Sequence, residues 1–406
     1  MFFKKTNAAE KGGRADTPAV AAAVCSRSFI LVTAINLLVM TVYYMTFVTT
    51  PAYVQKIYGA NLSVAGFSSG AMVLGCLAGR FFTGNFISVF GFRKTLFTGI
   101  FCFAACIGTF YAIDSLTFLI LQRFAVGMAV GITGTATGVI VAYVVPKEHH
   151  GFGISLFTLS TVLAIALGPF LGIVGAGFLE YGTLNALSLL VALVSMAVFF
   201  LFGSLPPVSR SRSSVTDIRS YIDPKVVPFS LLAFFMSMAY GSMQSFLMPF
   251  ASERGLMEPA GIFFLCYAAS AVLTRPVSGR WLDMHGANVL FYPIFAITAL
   301  AYVLIANAYG ALLLLAGGIL LGMGFGNFQS LAQALSLSMV PRARYAQATT
   351  TFYVFFDFGI GLGPYLFGYI VPAAGFEGLF YAAAGVSLLS ACLYRLVYRA
   401  ENVMHE

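Results

Sequence analysis

The feature that most constrains this chain is a series of long apolar runs, interrupted by short charged, Gly- or Pro-containing breaks. A stretch of about 20 apolar residues is long enough to cross the hydrocarbon core of a bilayer as one helix. Twelve such stretches can be marked. The first six are 28–50, 63–87, 95–113, 116–144, 152–178 and 183–204. The second six are 228–250, 259–282, 289–308, 311–339, 346–371 and 379–397. Of the 406 residues, 60% are hydrophobic and 9% are charged, against about 25% charged in a soluble domain. That excludes a soluble enzyme and a disordered chain. An all-α polytopic membrane protein is expected, with little chain left for a catalytic domain outside the bilayer.

Charge placement orients the spans. Seventeen of the 22 Lys and Arg fall in tails, loops or helix ends on the side of the N-terminus. Lys56 and Arg254 fall on the other side, and Arg80, Arg123 and Arg275 lie within spans. By the positive-inside rule both termini are expected in the cytoplasm, with the chain multi-pass in the cell (plasma) membrane. The net charge of +8 is explained by this asymmetry, so no nucleic-acid partner is expected. Residues 1–27 are polar, lack the apolar core of a secretory signal, and read as a cytoplasmic tail. Residues 205–227 hold the longest polar stretch, with Pro206, Pro207, Arg210, Arg212, Arg219 and Lys225. They divide a bundle at 28–204 from a second at 228–397, and 398–406 reads as a second cytoplasmic tail.

The halves repeat at a constant offset of 195 residues. Arg80 through Gly84 to Gly91 matches Arg275 through Gly279 to Gly286. Gly127-Met128 matches Gly322-Met323, Val145-Pro146 matches Val340-Pro341, and Leu167-Gly168-Pro169 matches Leu362-Gly363-Pro364. Six helices per half is an even number. The halves are therefore parallel repeats, related by a pseudo-twofold axis along the membrane normal.

The repeats carry motifs. Gly84-Asn-Phe-Ile-Ser88-Val-Phe-Gly91 and Gly279-Arg-Trp-Leu-Asp283-Met-His-Gly286 both resemble the GxxxD(R/K)xG(R/K)(R/K) loop of the major facilitator superfamily. The first copy departs from it, with Ser88 in place of Asp. Arg123-Phe-Ala-Val-Gly127-Met-Ala-Val-Gly131 resembles the family motif built on a membrane-embedded Arg. Ala164-Ile-Ala-Leu-Gly168-Pro169-Phe-Leu-Gly172 resembles its Gly-Pro antiporter motif, with Ala164 and Leu171 as departures. The segment from Asp357 to Pro364 is similar to the eleventh helix of the bacterial drug- and sugar-efflux-like branch. The resemblance covers nearly the whole chain past residue 27. It implies two six-helix bundles and secondary transport by alternating access, specifically proton-coupled efflux (drug:proton antiport) of a small organic molecule. It implies gating roles at the bundle seam for Arg80, Arg275, Asp283, Gly84, Gly91, Gly279 and Gly286. The alternative is an importer or facilitator of a sugar or other small metabolite on the same fold.

An ionisable group inside a membrane is a functional candidate by default. Asp357 is the one carboxylate placed mid-span, eleven residues from the start of its run, or roughly 16 Å deep. It reads either as a proton-coupling group or as half of a structural ion pair. Arg80 lies seven residues before the end of its run, roughly 10 Å deep. The second and eleventh helices face each other in the resembled fold, which implies that the two could meet. Arg275 has Val162 at the repeat-equivalent position of Asp357, so a carbonyl, a lipid phosphate or a loop acid is left for it. Snorkelling of Arg80 and Arg275 is the simpler reading. For Arg123 the resemblance implies a part in proton movement; carbonyl anchoring is the other reading. Asn36, Tyr43, Gln244, Asn327 and Gln329 are candidate cavity residues, each also readable as an interhelical hydrogen bond. No catalytic or metal site and no cofactor is expected: Walker and HExxH motifs are missing, and the four His lie in loops or the tail. The expected partners are the bilayer, protons and a small-molecule substrate, with the chain expected to be monomeric.

Overall fold

The structure is a computed structural model. It describes residues 26–145, 150–202, 222–285, 287–341 and 345–404. Twelve helices account for nearly all of these residues. Helix α1 is Arg27–Tyr58. Leu62–Gly108 runs unbroken by hydrogen bonding but turns at Gly91, and we label its limbs α2 (62–90) and α3 (92–108). After a 3-10 turn, Thr109–Ala112, come α4 (Leu116–Val144), α5 (His150–Phe178) and α6 (Tyr181–Phe200). The second half holds α7 (Val227–Glu253), α8 (Met257–His285), α9 (Ala287–Ala306), α10 (Ala311–Ser338), α11 (Tyr345–Gly368) and α12 (Val371–Met404). An even number of crossings per half puts both described ends on one face, called here the terminal face; the other is the far face.

Local sequence sets the ends. Ser26, Asn61 and Ser115 accept the amide hydrogens of Phe29, Val64 and Phe118 at the starts of α1, α2 and α4, filling donors that a helix start leaves open. Gly91 sits at φ +81° with open space where a Cβ would go. The backbone conformation, not crowding, therefore calls for glycine there. A single glycine turn replaces the non-helical loop expected between 87 and 95.

Two further expectations shift. Among the described residues, eleven helices are long and apolar enough to cross a membrane, and α11 is not one of them. Its sequence is diluted by Gln347, Thr349, Thr350, Thr351, Tyr353 and Asp357. It packs against α7 and α2, so part of its surface meets protein where a lipid-facing helix would meet hydrocarbon. Helix α12 continues to Met404, so most of the expected 398–406 tail is helical. The N-terminal tail through residue 25 and linker residues 203–221 lie outside the described residues. The end of the linker is pinned: Asp223 is buried, and its N–H donates to Thr351 Oγ1 on α11 at 2.8 Å.

The twofold repeat holds at the level of single contacts. Within hydrocarbon, helices associate by close packing across small residues. A Cβ on Gly127 of α4 would overlap the Met72 carbonyl of α2, and one on Gly322 of α10 would overlap the Tyr267 carbonyl of α8. Gly131 meets Cys76 as Gly326 meets Ala271. Gly75 lies against the Phe124 carbonyl, while Ser270 at the matching place donates its hydroxyl to the Ile319 carbonyl at 2.9 Å. All these pairs are related by the offset of 195 read from the sequence.

Candidate functional site

The two bundles meet along two seams, α2 with α11 and α5 with α8. In the far-face half of the α2–α11 seam the backbones touch. Gly66 lies against Pro364, Gly70 against Gly361, and Gly368 against Ser63. On the other seam Gly261, the repeat equivalent of Gly66, lies against Val174 and Phe170. A side chain at Gly66, Gly70 or Gly368 would force backbones apart, whereas Gly261 meets only side chains. Both seams are packed in their far-face halves, the first backbone on backbone and the second through side chains.

At the inner edge of the closed α2–α11 contact stands the ion pair. Arg80 Nη1 donates to Asp357 Oδ2 at 2.6 Å. The Asp357 side chain is 9% exposed and that of Arg80 37%, so the acid is the more deeply buried partner. The Arg80 guanidinium also lies 5.7 Å from the Tyr353 ring centroid, a cation–π distance. Tyr43, Tyr44 and Cys76 are within electrostatic range of the pair. Cys76 and Tyr353 each stand one helical turn from a member of the pair. Spacing of i±4 places them on its face, a signal that the sequence itself carries.

The second seam has no such pair among the described residues. Arg275 is half-buried, and its Nη2 donates to the Gly326 carbonyl of its own bundle at 3.4 Å. Of the alternatives open to it, the carbonyl is the one taken. Val162 stands where the acid would be. The side-chain surroundings of Gly84, Gly279 and Asp283 lie outside the described residues, as does Gly286 altogether.

Two candidate cavity residues are fully engaged inside their bundles. Asn36 Nδ2 donates to Ser160 Oγ at 2.8 Å and Thr161 Oγ1 at 3.0 Å, and its Oδ1 accepts from Thr137 at 3.4 Å. This joins α1, α4 and α5. Asn327 Nδ2 donates to Thr274 Oγ1 at 2.7 Å and to the Met323 carbonyl at 2.9 Å, and its Oδ1 accepts from Ser278 at 3.2 Å. Both amide hydrogens are used in each case, as the interhelical hydrogen-bond reading expects: they tie helices. Gln244 differs. It is buried and its Nε2 has no hydrogen-bond partner. One turn earlier on α7, the Tyr240 ring stacks on Phe325 of α10 at 4.1 Å, and Phe325 stacks on Phe356 of α11 at 5.9 Å. Tyr43 is buried and Gln329 half-buried.

Gly168 and Gly172 seat α5 against α1, where Cβ atoms would crowd Thr41, Tyr44 and Met45. Arg123 is fully buried, and its Nε, Nη1 and Nη2 have no hydrogen-bond partner. At the far face of the second bundle Arg254 is well supplied. Its Nη1 donates to the Ala306 and Ala308 carbonyls at 3.0 and 2.9 Å, and its Nη2 pairs with Glu377. The Tyr309 hydroxyl donates to the same carboxylate at 2.7 Å. That bond and the carboxylate charge push the Tyr309 phenol above its ordinary pKa. The sequence places Arg254 outside the membrane but gives no sign of this clamp, because its partners are 52 or more residues away.

The model of the family described as Major Facilitator Superfamily matches residues 32–326 and 259–404. The MFS-type transporter YhhS of Escherichia coli (strain K12) is 24% identical over 351 residues, covering 84% of this chain and 85% of that one. An MFS-type transporter of Burkholderia pseudomallei (strain 1106a) is 22% identical over 362 residues, 86% and 87% of the two chains. Among solved structures, the nucleoside transporter NupG superimposes with a TM-score of 0.73 at 13% identity, covering 91% of this chain and 99% of that one. The human organic anion transporter MFSD10 gives 0.65 at 16% identity, covering 90% and 98%.

Proposed function

The chain belongs to the Major Facilitator Superfamily, and we propose that it exports a small organic molecule in exchange for protons by alternating access, in a cell membrane with both termini in the cytoplasm. The observation that carries this reading is the 2.6 Å bridge between Arg80 and Asp357, one residue from each bundle. Helices α2 and α11 must separate at their far-face halves for a central site to open there. While the acid is ionised the bridge holds them together. A proton on Asp357 removes the charge attraction and loosens the seam. Proton binding and far-side opening are thereby linked through one contact. The Gly168-Pro169 motif and the Asp357 segment give the lean to export. Arg123 cannot carry the proton, because a guanidinium does not deprotonate in a protein; its share in coupling is a fixed charge. Tyr43, Gln244 and Gln329 remain the candidates to contact the solute.

Reconstitution into liposomes tests both parts. A pH gradient should drive labelled solute uphill in the wild type, and reversing the gradient should reverse the flux. Asp357→Asn should abolish uphill flux but keep solute counterflow. Full uphill flux in that variant refutes the coupling role, and accumulation down the path of the entering proton identifies an importer.

A further inference from the structure

We propose that the N-terminal bundle holds a bound halide-sized inorganic anion, chloride under ordinary conditions, on the guanidinium of Arg123. Arg80, Arg254 and Arg275 each reach an acceptor, and two of them reach a carboxylate. Arg123 reaches none: it has 0% exposure, and all three of its nitrogens are unpartnered. A lone buried guanidinium carries a large desolvation cost and cannot shed its proton. A counter-charge would offset that cost, and no described carboxylate supplies it. Asp114 and Glu180 stand exposed at the far face of this bundle and do not reach it.

The surroundings are apolar and aromatic. One turn above Arg123 on α4, Leu119 packs with Val54 of α1, Ala65 of α2 and Phe110. One turn below, Gly127 abuts the Met72 carbonyl of α2. The i±4 neighbours therefore direct the Arg123 side chain between α1 and α2. Over it lies a ring cluster: Tyr53 stacks on Tyr181 at 4.0 Å and lies 5.6 Å from Phe110, within electrostatic range of Arg123. The hydroxyls of Thr50 and Tyr181 meet at 3.0 Å on the same side. Apolar walls and one guanidinium suit a small monovalent anion of low hydration cost. They do not suit a phosphate, which requires several donors, nor the transported solute, because these neighbours all belong to one bundle. The inference does not rest on the transport reading.

Thermal unfolding of the purified full-length protein tests it, at constant ionic strength in chloride, bromide or gluconate. A ligand that prefers the folded form raises the midpoint saturably. Chloride and bromide should raise the wild-type midpoint by at least about 2 °C over gluconate. Arg123→Gln should remove that difference, Arg123→Lys should keep part of it, and Arg275→Gln should keep all of it. Should Arg123→Gln not fold, broadening of the chloride-35 NMR line by wild-type protein, reduced in Arg123→Lys, reads the same site. An identical midpoint in the three anions with no line broadening, or an undiminished difference in Arg123→Gln, overturns the proposal.

Discussion

Neutralising Asp357 should move the balance between the two faces of the protein, and the structure gives the size of the shift. Breaking a buried ion pair by removing one partner costs about 3–5 kcal/mol. Here only the acid is buried: the Arg80 side chain is 37% exposed, so solvent takes up part of the loss. About 2 kcal/mol is a fair size for the bridge, which is roughly a thirtyfold change in an equilibrium constant. The far-closed state shown here contains the bridge; a far-open state cannot, because α2 and α11 must part. Asp357→Asn should therefore raise the far-open to far-closed ratio by roughly thirtyfold, taking a 1:100 population to about 1:3. Spin labels at Lys56 of α1 and Glu258 of α8, both exposed at the far ends of opposite bundles, would read the change. A second, longer distance should appear in Asp357→Asn at neutral pH, and in the wild type only on acidification. Arg80→Gln should give the longer distance at every pH. Unchanged distances in both variants would show that the bridge does not hold the seam, and the proposed link between proton and far-side opening would fall with it.

Other outcomes follow from the packing. Gly127→Ala should cost about 1–3 kcal/mol by forcing α4 off α2, and its repeat mate Gly322→Ala a similar amount; thermal unfolding in detergent checks both. Gly91→Ala should cost about 1–2 kcal/mol for the left-handed backbone alone, with the same readout. Asn36→Ala should lower stability by about 1–3 kcal/mol, since three hydroxyls lose a shared partner, while leaving the KM for solute unchanged; a KM shift with unaltered stability would return Asn36 to the cavity wall. The raised Tyr309 pKa has a defined sign: its contribution to stability is full below the ordinary phenol pKa of 10.0 and is lost as pH rises through the elevated folded value. Glu377→Gln should move the phenol's ultraviolet titration back toward 10.0 and flatten the alkaline limb of stability.

The spans and the twofold were legible because both rest on periodic, local information. Lipid demands a run of apolar residues, and duplicated packing demands glycine at matching places, so Gly127 and Gly322 announce themselves at a fixed offset. The approach of Arg80 to Asp357 was within reach because burying ions in hydrocarbon is so costly that few are present to be paired. What was not legible depends on the far ends of side chains. Asn36 and Asn327 have the composition of a polar cavity wall, yet each is exhausted by hydroxyls from α5, α4 or α8 whose positions only the packing fixes. The Arg254 clamp joins main-chain carbonyls, which have no sequence signature. Helix α11 misled in the opposite sense. The polar residues that make it a poor membrane span are the mark of a helix serving the seam.

The seams also explain why one pair suffices. Gly66 and Gly261 stand at matching places in the two seams, but Gly66 meets backbone and Gly261 only side chains. A carboxylate at both Asp357 and position 162 would make each seam respond to protons and would bury a second acid in the bilayer, adding desolvation cost without adding a new state. With Val162 in place of the second acid, the proposed coupling leaves the α5–α8 seam as the pivot and puts the switch on the α2–α11 seam. Installing an acid at the silent place tests this division. Val162→Asp should draw Arg275 from the Gly326 carbonyl into a second cross-bundle bridge and favour the far-closed state. By adding one more bridge of about 2 kcal/mol, it should restore the short Lys56–Glu258 distance to an Asp357→Asn background. If the double variant stays as open as Asp357→Asn alone, the two seams are not equivalent levers and the bridge acts through something other than holding helices together.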